Sequence, residues 1–229
     1  MALPKNQFFV IVEKSREPGQ HLYISDANFN IKEIKNPTKP LLLNLEFTFC
    51  FYDDSIFMFK DCFDMSEGLN VVPDARRYII SQNKWINLNV QYCGYPYSCV
   101  GFKDKIIFAG WMSGIWIYDI LLDSYSQHLI RNFDTEENKM LLKISGKIYL
   151  LVPYLSKILY CDDPLLDWML LSNFHDTLFC ERASPHVYYH GSIYYFRRDL
   201  NSTLYEFSLS KFSSKPTKLK GSTNNAIKI

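Results

Sequence analysis

The sequence lacks a long hydrophobic run. Near the N-terminus the apolar run is only five residues long, which is shorter than the apolar region of a secretory signal peptide. The longest apolar stretch further along, residues 115–122, is interrupted by Asp119, and no stretch approaches the ~20 apolar residues that span a bilayer. We therefore expect a cytoplasmic protein that has no membrane partner.

The sequence also lacks an excess of charge of either sign. Its 25 basic and 24 acidic residues give a formal net charge of +1, so no global field attracts nucleic acid or an anionic membrane. Basic residues gather only near the C-terminus, at Lys211, Lys215, Lys218 and Lys220. Lysines in this arrangement are typical of a solvated edge strand, which we predict at 216–220 as the last strand of its unit, and we do not expect nucleic acid as a partner.

Motifs for metal ions, phosphates and nucleophilic catalysis are absent. The six cysteines form no CxxC pair and the five histidines are scattered, so we expect neither a metal site nor a cofactor. An even number of cysteines allows disulfides, but a core of this size does not require them, and we expect free, mostly buried thiols. No nucleophile elbow, Gly-rich phosphate loop or Walker-type lysine occurs. No catalytic residue is therefore predicted; whether the chain is an enzyme stays open, with a non-catalytic role favoured.

Aromatic residues are abundant instead. They make up 16% of the chain, with 17 Phe and 16 Tyr, and this composition favours β-structure. Two-residue turns of Ser-Gly and His-Gly are good hairpin signals because Gly tolerates positive φ, whereas Asp-Asp and Lys-Asp are weaker. Four segments share a β-like run, such a turn and a strongly apolar strand: FTFCFY-DD-SIFMF (47–59), SCVGF-KD-KIIFAG (98–110), MLLKI-SG-KIYLL (140–151) and PHVYY-HG-SIYYF (185–196).

These hairpins recur at a regular distance. Their apolar strands begin at Ser55, Lys105, Lys147 and Ser192, so the successive spacings are 50, 42 and 45 residues. Each hairpin is followed by two more β-like segments, which makes a unit of four short antiparallel strands. A period of this size with four strands per unit indicates the blades of a β-propeller.

The N-terminal segment predicts a further, incomplete blade. It has three β-like segments but no first strand, while residues 224–229 are β-like and left over. Because an open ring leaves unpaired strand edges, we predict that 224–229 supplies the missing strand. The predicted fold class is therefore all-β: one domain, 1–229, forming a monomeric five-bladed β-propeller with four antiparallel strands per blade. A two-sheet sandwich of similar strands is the alternative. The predicted blades are approximately 1–36 plus 224–229, 45–90, 97–130, 139–171 and 183–219.

An aromatic pattern within these blades resembles the kelch repeat. That repeat has two glycines after an apolar strand, then a tyrosine, then a tryptophan about seven residues later. In blade three the corresponding residues are Ala109-Gly110, Tyr118 and Tyr125; blades two, four and five lack the glycine pair. The resemblance to a divergent kelch-like propeller implies an interaction module, commonly one that binds a peptide on one face. The aromatic pairs of the other blades are Tyr78 and Trp85, Tyr160 and Trp168, and Tyr205 and Phe212.

Long segments gather on one rim of the predicted propeller. The opposite rim carries the two-residue turns, whereas this rim carries the loops from second to third strands and the links between blades. Because loops on a rigid scaffold commonly bind ligands, we place a protein-binding surface here. Its candidate contact residues are Phe63, Trp111, Tyr154, Arg197 and Arg198.

The entrance to the central channel is expected on the same rim, where the inner strands begin. Polar groups there have two interpretations: they bind a ligand, or they hydrogen-bond only to water in the channel. The residues predicted to line this entrance are Glu46, Tyr95, Tyr97, Lys139, Glu181, Arg182 and His186.

Three functions fit these patterns. The first is a non-catalytic interaction module on whose loop-rich rim a peptide or loop of another protein docks. The second is a propeller that binds a glycan or small ligand, because Trp and Tyr side chains stack on sugar rings. The third is a five-bladed glycoside hydrolase with Glu46 and Glu181 as its carboxylates, which would have to lie ~5 Å apart for retention or ~6.5–9.5 Å apart for inversion.

Overall fold

The computed structural model describes the strand-forming parts of the chain. Every regular element in those parts is a β-strand, as the aromatic-rich composition predicts. Across the same parts, no helix combines the length and apolar character needed to cross a membrane. The described residues are 8–13, 20–25, 31–34, 47–60, 75–89, 96–110, 114–130, 139–152, 155–164, 168–173, 186–196, 204–211 and 213–217.

The strands form five antiparallel sheets in chain order. The first has three strands, β1 (Phe8–Glu13), β2 (Gln20–Ser25) and β3 (Ile31–Ile34). The others have four strands each. Blade two consists of β4 (Phe47–Tyr52), β5 (Ser55–Lys60), β6 (Ala75–Ile79) and β7 (Lys84–Asn87), and blade three of β8 (Pro96–Phe102), β9 (Lys105–Gly110), β10 (Ile115–Asp119) and β11 (Ser124–His128). Blade four consists of β12 (Met140–Ile144), β13 (Lys147–Val152), β14 (Lys157–Cys161) and β15 (Met169–Asn173), and blade five of β16 (His186–Tyr189), β17 (Ser192–Phe196), β18 (Leu204–Ser208) and β19 (Ser213–Pro216).

Neighbouring sheets stand side by side, as blades do in a propeller. The inner strand of blade three, β8, contacts both β4 and β12, which are the inner strands of blades two and four. Apolar clusters join each sheet to the next along the chain, from the N-terminal sheet to blade five. The arrangement is therefore propeller-like, as predicted, rather than two stacked sheets.

The number of blades differs from the prediction. The structure has four blades of four strands, not five, and the N-terminal sheet has three strands within the described residues. The strand predicted to complete that sheet, 224–229, lies outside the described residues. Regular spacing predicts the strands inside a blade, because turn chemistry and period-two patterning are local. No local pattern specifies which distant segment pairs with an open edge.

The outer strand of blade five lies earlier than predicted. The pattern predicts a Lys-rich strand at 216–220, but β19 ends at Pro216. Lys215 lies opposite Glu206 of β18, and its ammonium is 3.2 Å from the Glu206 carboxylate. Opposite charges on paired positions stabilise a register, so this ion pair supports the observed pairing of β18 with β19.

Each central strand presents a different face to each neighbouring blade. In β9, Ile106 and Phe108 pack against blade two, whereas Ile107 and Ala109 pack against blade four. All four side chains are fully buried. Because side chains alternate along a strand, burial on both faces requires an unbroken apolar run. This explains why KIIFAG has no alternation of polar and apolar residues.

The predicted hairpin turns form. Ser145-Gly146 and His190-Gly191 have positive φ at both residues, 50° and 80° in the first and 47° and 81° in the second. This is the geometry of type I′ turns, which match the twist of paired strands. Lys103-Asp104 adopts the same geometry without a glycine, with φ of 45° and 57°. The weaker turn signal therefore still produces a tight hairpin, but at a conformational cost.

The aromatic pairs of blades two and three pack as predicted. Tyr78 lies opposite Trp85 with ring centroids 5.0 Å apart, and Tyr118 lies opposite Tyr125 with centroids 4.8 Å apart. The Tyr118 hydroxyl also donates a hydrogen bond to Asp123 (2.8 Å), which ties the pair to the turn between the two strands. These contacts account for the pattern by packing alone, and nothing in them is specific to kelch repeats.

Asp119 links the turn at the end of β10 to the acid stability of the fold. Its carboxylate pairs with the Lys105 ammonium and accepts hydrogen bonds from the backbone N–H groups of Leu121 and Leu122, each at 3.0 Å. The hydrogen bond from Lys105 is the main cause that lowers the pKa of Asp119. A carboxyl whose pKa is lower in the folded state stabilises the fold above its unfolded pKa of ~3.9, and that contribution is lost as the pH falls.

We expect Asp119→Asn to reduce the acid sensitivity of the fold. The free energy of unfolding should fall less between about pH 7 and about pH 3 in this variant than in the wild type. Urea titrations at the two pH values measure this difference. Lys105→Met removes the same ion pair by deleting its cation. Its free energy of unfolding should show the same reduced dependence on pH. Wild-type pH dependence in both variants would contradict the role of the pair.

Candidate functional site

A cleft of about 650 Å³ lies where three inner strands end. Its walls come from β4, β8 and β12 and from the hairpin turns that follow the first two of these strands. The cleft therefore exists only when blades two, three and four are assembled. The described residues that line it are Phe49, Cys50, Phe51, Tyr52, Asp53, Cys99, Val100, Gly101, Asp104 and Lys143.

Tyr52 joins two walls of the cleft. Its ring lies so close to Gly101 on the neighbouring strand that a Cβ at that position would fall within 2.6 Å of the Tyr52 Cβ. The Tyr52 hydroxyl accepts a hydrogen bond from the backbone N–H of Asp104 (3.1 Å). Glycine is thus required at position 101 by a close approach between strands, and Tyr52 fixes the blade-three turn relative to blade two.

Lys143 supplies a positive charge to the cleft. This exposed side chain donates a hydrogen bond to the Gly101 carbonyl (3.0 Å). Its ammonium lies 5.7 Å from the ring centroids of both Tyr52 and Phe102, a distance at which cation–π attraction orients a lysine. Because an ammonium has three N–H donors, Lys143 can bind a ligand oxygen while it keeps the Gly101 contact.

Two exposed carboxylates, Asp53 and Asp104, stand at the rim of the cleft in a strained backbone conformation. Their φ angles are 53° and 57°, in the left-handed region that costs a side-chain-bearing residue about 1–2 kcal/mol. The equivalents of Asp104 in blades four and five are Gly146 and Gly191, which adopt positive φ at no steric cost. Positive φ recurs in other turns at Asn83, Asp123 and Ser145, so what distinguishes Asp104 is its carboxylate in the lining of the cleft.

The floor of the cleft carries two thiols. Cys50 is buried and Cys99 is partly exposed. Burial raises the pKa of Cys99 well above its usual range, and a hydrogen bond with Cys50 raises it further. Across the part of the chain that the structure describes, no three His, Cys, Asp or Glu side chains gather in a group able to hold a metal ion.

The residues that the sequence predicted for the channel entrance are only partly placed. Tyr97 lies in β8, His186 begins β16, and Lys139 precedes β12 with only 2% of its surface exposed. Whether these residues form one site therefore stays a prediction. The remaining predicted residues lie outside the described ranges: Glu46, Tyr95, Glu181 and Arg182 at the entrance, and Phe63, Trp111, Tyr154, Arg197 and Arg198 on the rim.

The cleft lies at the opposite end of the inner strands from the predicted entrance. The sequence pattern favoured a binding surface on the rim with long loops rather than on the rim with two-residue turns. One signal was present: the turns Asp53-Asp54 and Lys103-Asp104 lack the glycine that two other hairpins have. In both turns an aspartate, Asp54 or Asp104, stands at the position of that glycine.

Comparisons with known proteins bear on the fold. No protein-family model and no curated protein sequence matches the chain. An auxiliary nutrient-binding protein from Bacteroides thetaiotaomicron is similar in structure, with a TM-score of 0.55 and 12% identity over 93% of this chain and 57% of that one. A second, from Bacteroides ovatus, has a TM-score of 0.55 and 10% identity over 93% of this chain and 55% of that one. The chain thus spans little more than half the length of either protein, and at these identities the likeness shows a β-propeller-like fold alone.

Proposed function

We propose that the chain binds a small saccharide in the cleft at the ends of β4, β8 and β12. The observation that carries this proposal is that Phe51, 44% of whose surface is accessible, lines the same cleft as Asp53, Asp104 and Lys143. An exposed aromatic ring offers a stacking surface for a sugar ring, and carboxylate and ammonium groups hydrogen-bond to its hydroxyls. This assigns the second of the three functions that the sequence suggested to a site that the sequence did not indicate.

The size and charge of the cleft restrict the ligand further. A volume of about 650 Å³ falls within the ~300–1,000 Å³ typical of small-molecule sites. One ammonium and two carboxylates give the lining a net charge of about −1 near neutral pH, counted from Lys143, Asp53 and Asp104. Such a lining repels polyanions, so we favour a neutral sugar or an amino sugar over an acidic one.

The comparisons lend limited support to the same class of function. The two Bacteroides proteins of similar fold are described as auxiliary nutrient-binding proteins. A fold hosts many functions, so this likeness raises the expectation of ligand binding without identifying the ligand. The proposal therefore rests mainly on the residues of the cleft.

A saccharide array followed by calorimetric titration of the best ligand tests the proposal. We expect a neutral or amino sugar to bind the purified chain. Phe51→Ala should weaken that binding by about tenfold, which corresponds to ~1.4 kcal/mol of lost stacking and burial. Lys143→Met, which keeps the length of the side chain but removes its charge, should weaken the same ligand.

The matched control for Phe51→Ala is Leu122→Ala. Leu122 is an apolar side chain with 73% of its surface exposed, and it lies in the β10–β11 turn away from the cleft. This variant should bind the ligand as the wild type does. If no saccharide binds, or if Phe51→Ala and Leu122→Ala bind equally well, the proposed function is wrong.

Asp104→Gly is expected to have opposite effects on the stability of the fold and on saccharide binding. Glycine relieves the strain of positive φ and should raise the free energy of unfolding by about 0.5–1 kcal/mol. The same substitution removes a carboxylate from the cleft and should weaken saccharide binding severalfold. Urea unfolding and calorimetry on one preparation measure both effects. A more stable variant with undiminished affinity would remove Asp104 from the binding site.

The two other functions stay predictions. A peptide or loop of another protein on the loop-rich rim would involve residues that lie outside the described ranges, and so would the carboxylate pair of a glycoside hydrolase, Glu46 and Glu181. Affinity purification with the intact rim and with Trp111→Ala and Arg198→Ala checks the first. A reducing-sugar release assay on Glu46→Gln and Glu181→Gln checks the second.

A further inference from the structure

Cys50 and Cys99 belong to different blades but face the same interface. Cys50 lies opposite Phe57 in the β4–β5 pair, and Cys99 lies opposite Phe108 in the β8–β9 pair. Both cysteines and both phenylalanines pack in the apolar cluster between blades two and three. Their two strands are in contact, and two residues further along each of them Tyr52 lies directly against Gly101 across the interface.

We propose that Cys50 and Cys99 form an oxidisable dithiol that closes to a disulfide linking blade two to blade three beneath the cleft. The disulfide would form in an oxidising environment and open in a reducing one. Both residues line the cleft, so the opening that admits a ligand also gives a small oxidant a route towards them. Cys161, the third described free cysteine, is buried without exposure between blades three and four and lines no part of the cleft.

A small disulfide such as glutathione disulfide supplies the oxidising equivalents. The partly exposed Cys99 gives up its proton to solvent, and its thiolate attacks one glutathione sulfur and expels the other glutathione as a thiolate. Cys50 then gives up its proton to solvent as it attacks the Cys99 sulfur of the mixed disulfide, and the second glutathione leaves as a thiolate that takes up a proton. Two protein thiols are oxidised, and one glutathione disulfide is reduced to two glutathione thiols. Since the pKa of Cys99 is raised, the first step should be slow near neutral pH and faster in mild alkali.

The cross-link is expected to alter the cleft. A disulfide holds its two sulfurs ~2.05 Å apart, so closing it draws β4 and β8 together at the floor. This narrowing should lower the affinity for a ligand bound above it. That regulatory effect rests on the proposed saccharide-binding function, whereas formation of the cross-link does not.

Peptide mapping of the whole chain tests the cross-link. After incubation with glutathione disulfide at about pH 8.5, the intact protein should lose the mass of two hydrogens, and a digest should contain a Cys50–Cys99 linked peptide. The melting temperature should rise by about 5–10 °C. Cys50→Ser and Cys99→Ser should each prevent the linkage, and Cys161→Ser should leave it unchanged. No linkage in the wild type, or a linkage that involves a different cysteine, would overturn the proposal.

Ligand titration of the reduced and oxidised protein tests the regulation separately. We expect the oxidised form to bind the saccharide at least threefold more weakly and to regain its affinity after treatment with dithiothreitol. Equal affinity in both forms would reject the regulation while leaving the cross-link in place. If the reduced protein binds no saccharide, the proposed function fails, and the peptide map still decides whether the dithiol closes.

Discussion

Phe108→Ala is expected to lower the free energy of unfolding by about 3–5 kcal/mol, the largest stability effect of a single substitution considered for this chain. Phe108 has no exposed surface and lies at the centre of the interface between blades two and three. Its ring stacks on Phe59 with centroids 5.1 Å apart and meets Tyr125 edge-on at 6.1 Å. Alanine would leave a cavity between blades two and three. The strands on either side of it cannot shift to fill it, because each is hydrogen-bonded within its own blade.

Urea unfolding and the melting temperature measure the loss. We expect Phe108→Leu, which refills most of the cavity, to recover more than half of the lost free energy of unfolding. Phe51→Ala is the matched control: it deletes the same ring at a position 44% exposed, and it should change the free energy of unfolding by less than about 1 kcal/mol. Comparable losses for the two alanine variants would mean that the interface between blades two and three contributes little to stability.

Gly101→Ala is expected to be destabilising by about 2–3 kcal/mol and to abolish binding in the cleft. The added Cβ would collide with the Tyr52 ring and with the Tyr52 Cβ, which is fixed to the backbone and cannot swing away. Relief requires β4 and β8 to separate. That separation would also break the hydrogen bond from the Asp104 N–H to the Tyr52 hydroxyl and open the wall of the cleft.

Gly146→Ala distinguishes this collision from the loss of glycine as such. Gly146 has a positive φ of 80°, but an added Cβ there meets nothing within 4 Å. Its substitution should therefore cost only the backbone strain, about 1 kcal/mol. The double variant Gly101→Ala with Tyr52→Gly, which removes the Tyr52 Cβ together with the ring, should be less destabilised than the sum of the single variants. Additive losses would show that Tyr52 is not what the new methyl group strikes.

Much of the fold is readable from the sequence because its signals are local. The Ser145-Gly146 and His190-Gly191 turns specify tight hairpins through positive φ, and the alternation of side chains specifies which residues share a face. The recurrence of the hairpins then predicts units of four strands. The pairing of Tyr118 with Tyr125 follows from the same local register.

The predictions that failed depend on contacts between distant residues. The described outer strand of blade five, β19, pairs Lys215 with Glu206 of the neighbouring strand, whereas the pattern favoured the Lys-rich run that follows. The count of five four-stranded blades assumed that the two ends of the chain pair, which local patterning does not encode.

By itself, the sequence determined an all-β chain of repeated four-stranded units. Only the tertiary structure decided where a ligand could bind, because the cleft is made from the ends of three strands that belong to three blades. Tyr52, Gly101 and Lys143 are far apart in the chain and are residues of ordinary type. Their contacts nevertheless form one wall of the cleft. Turn and strand patterns act over a few residues, whereas a binding site depends on which distant side chains the packing of blades brings together.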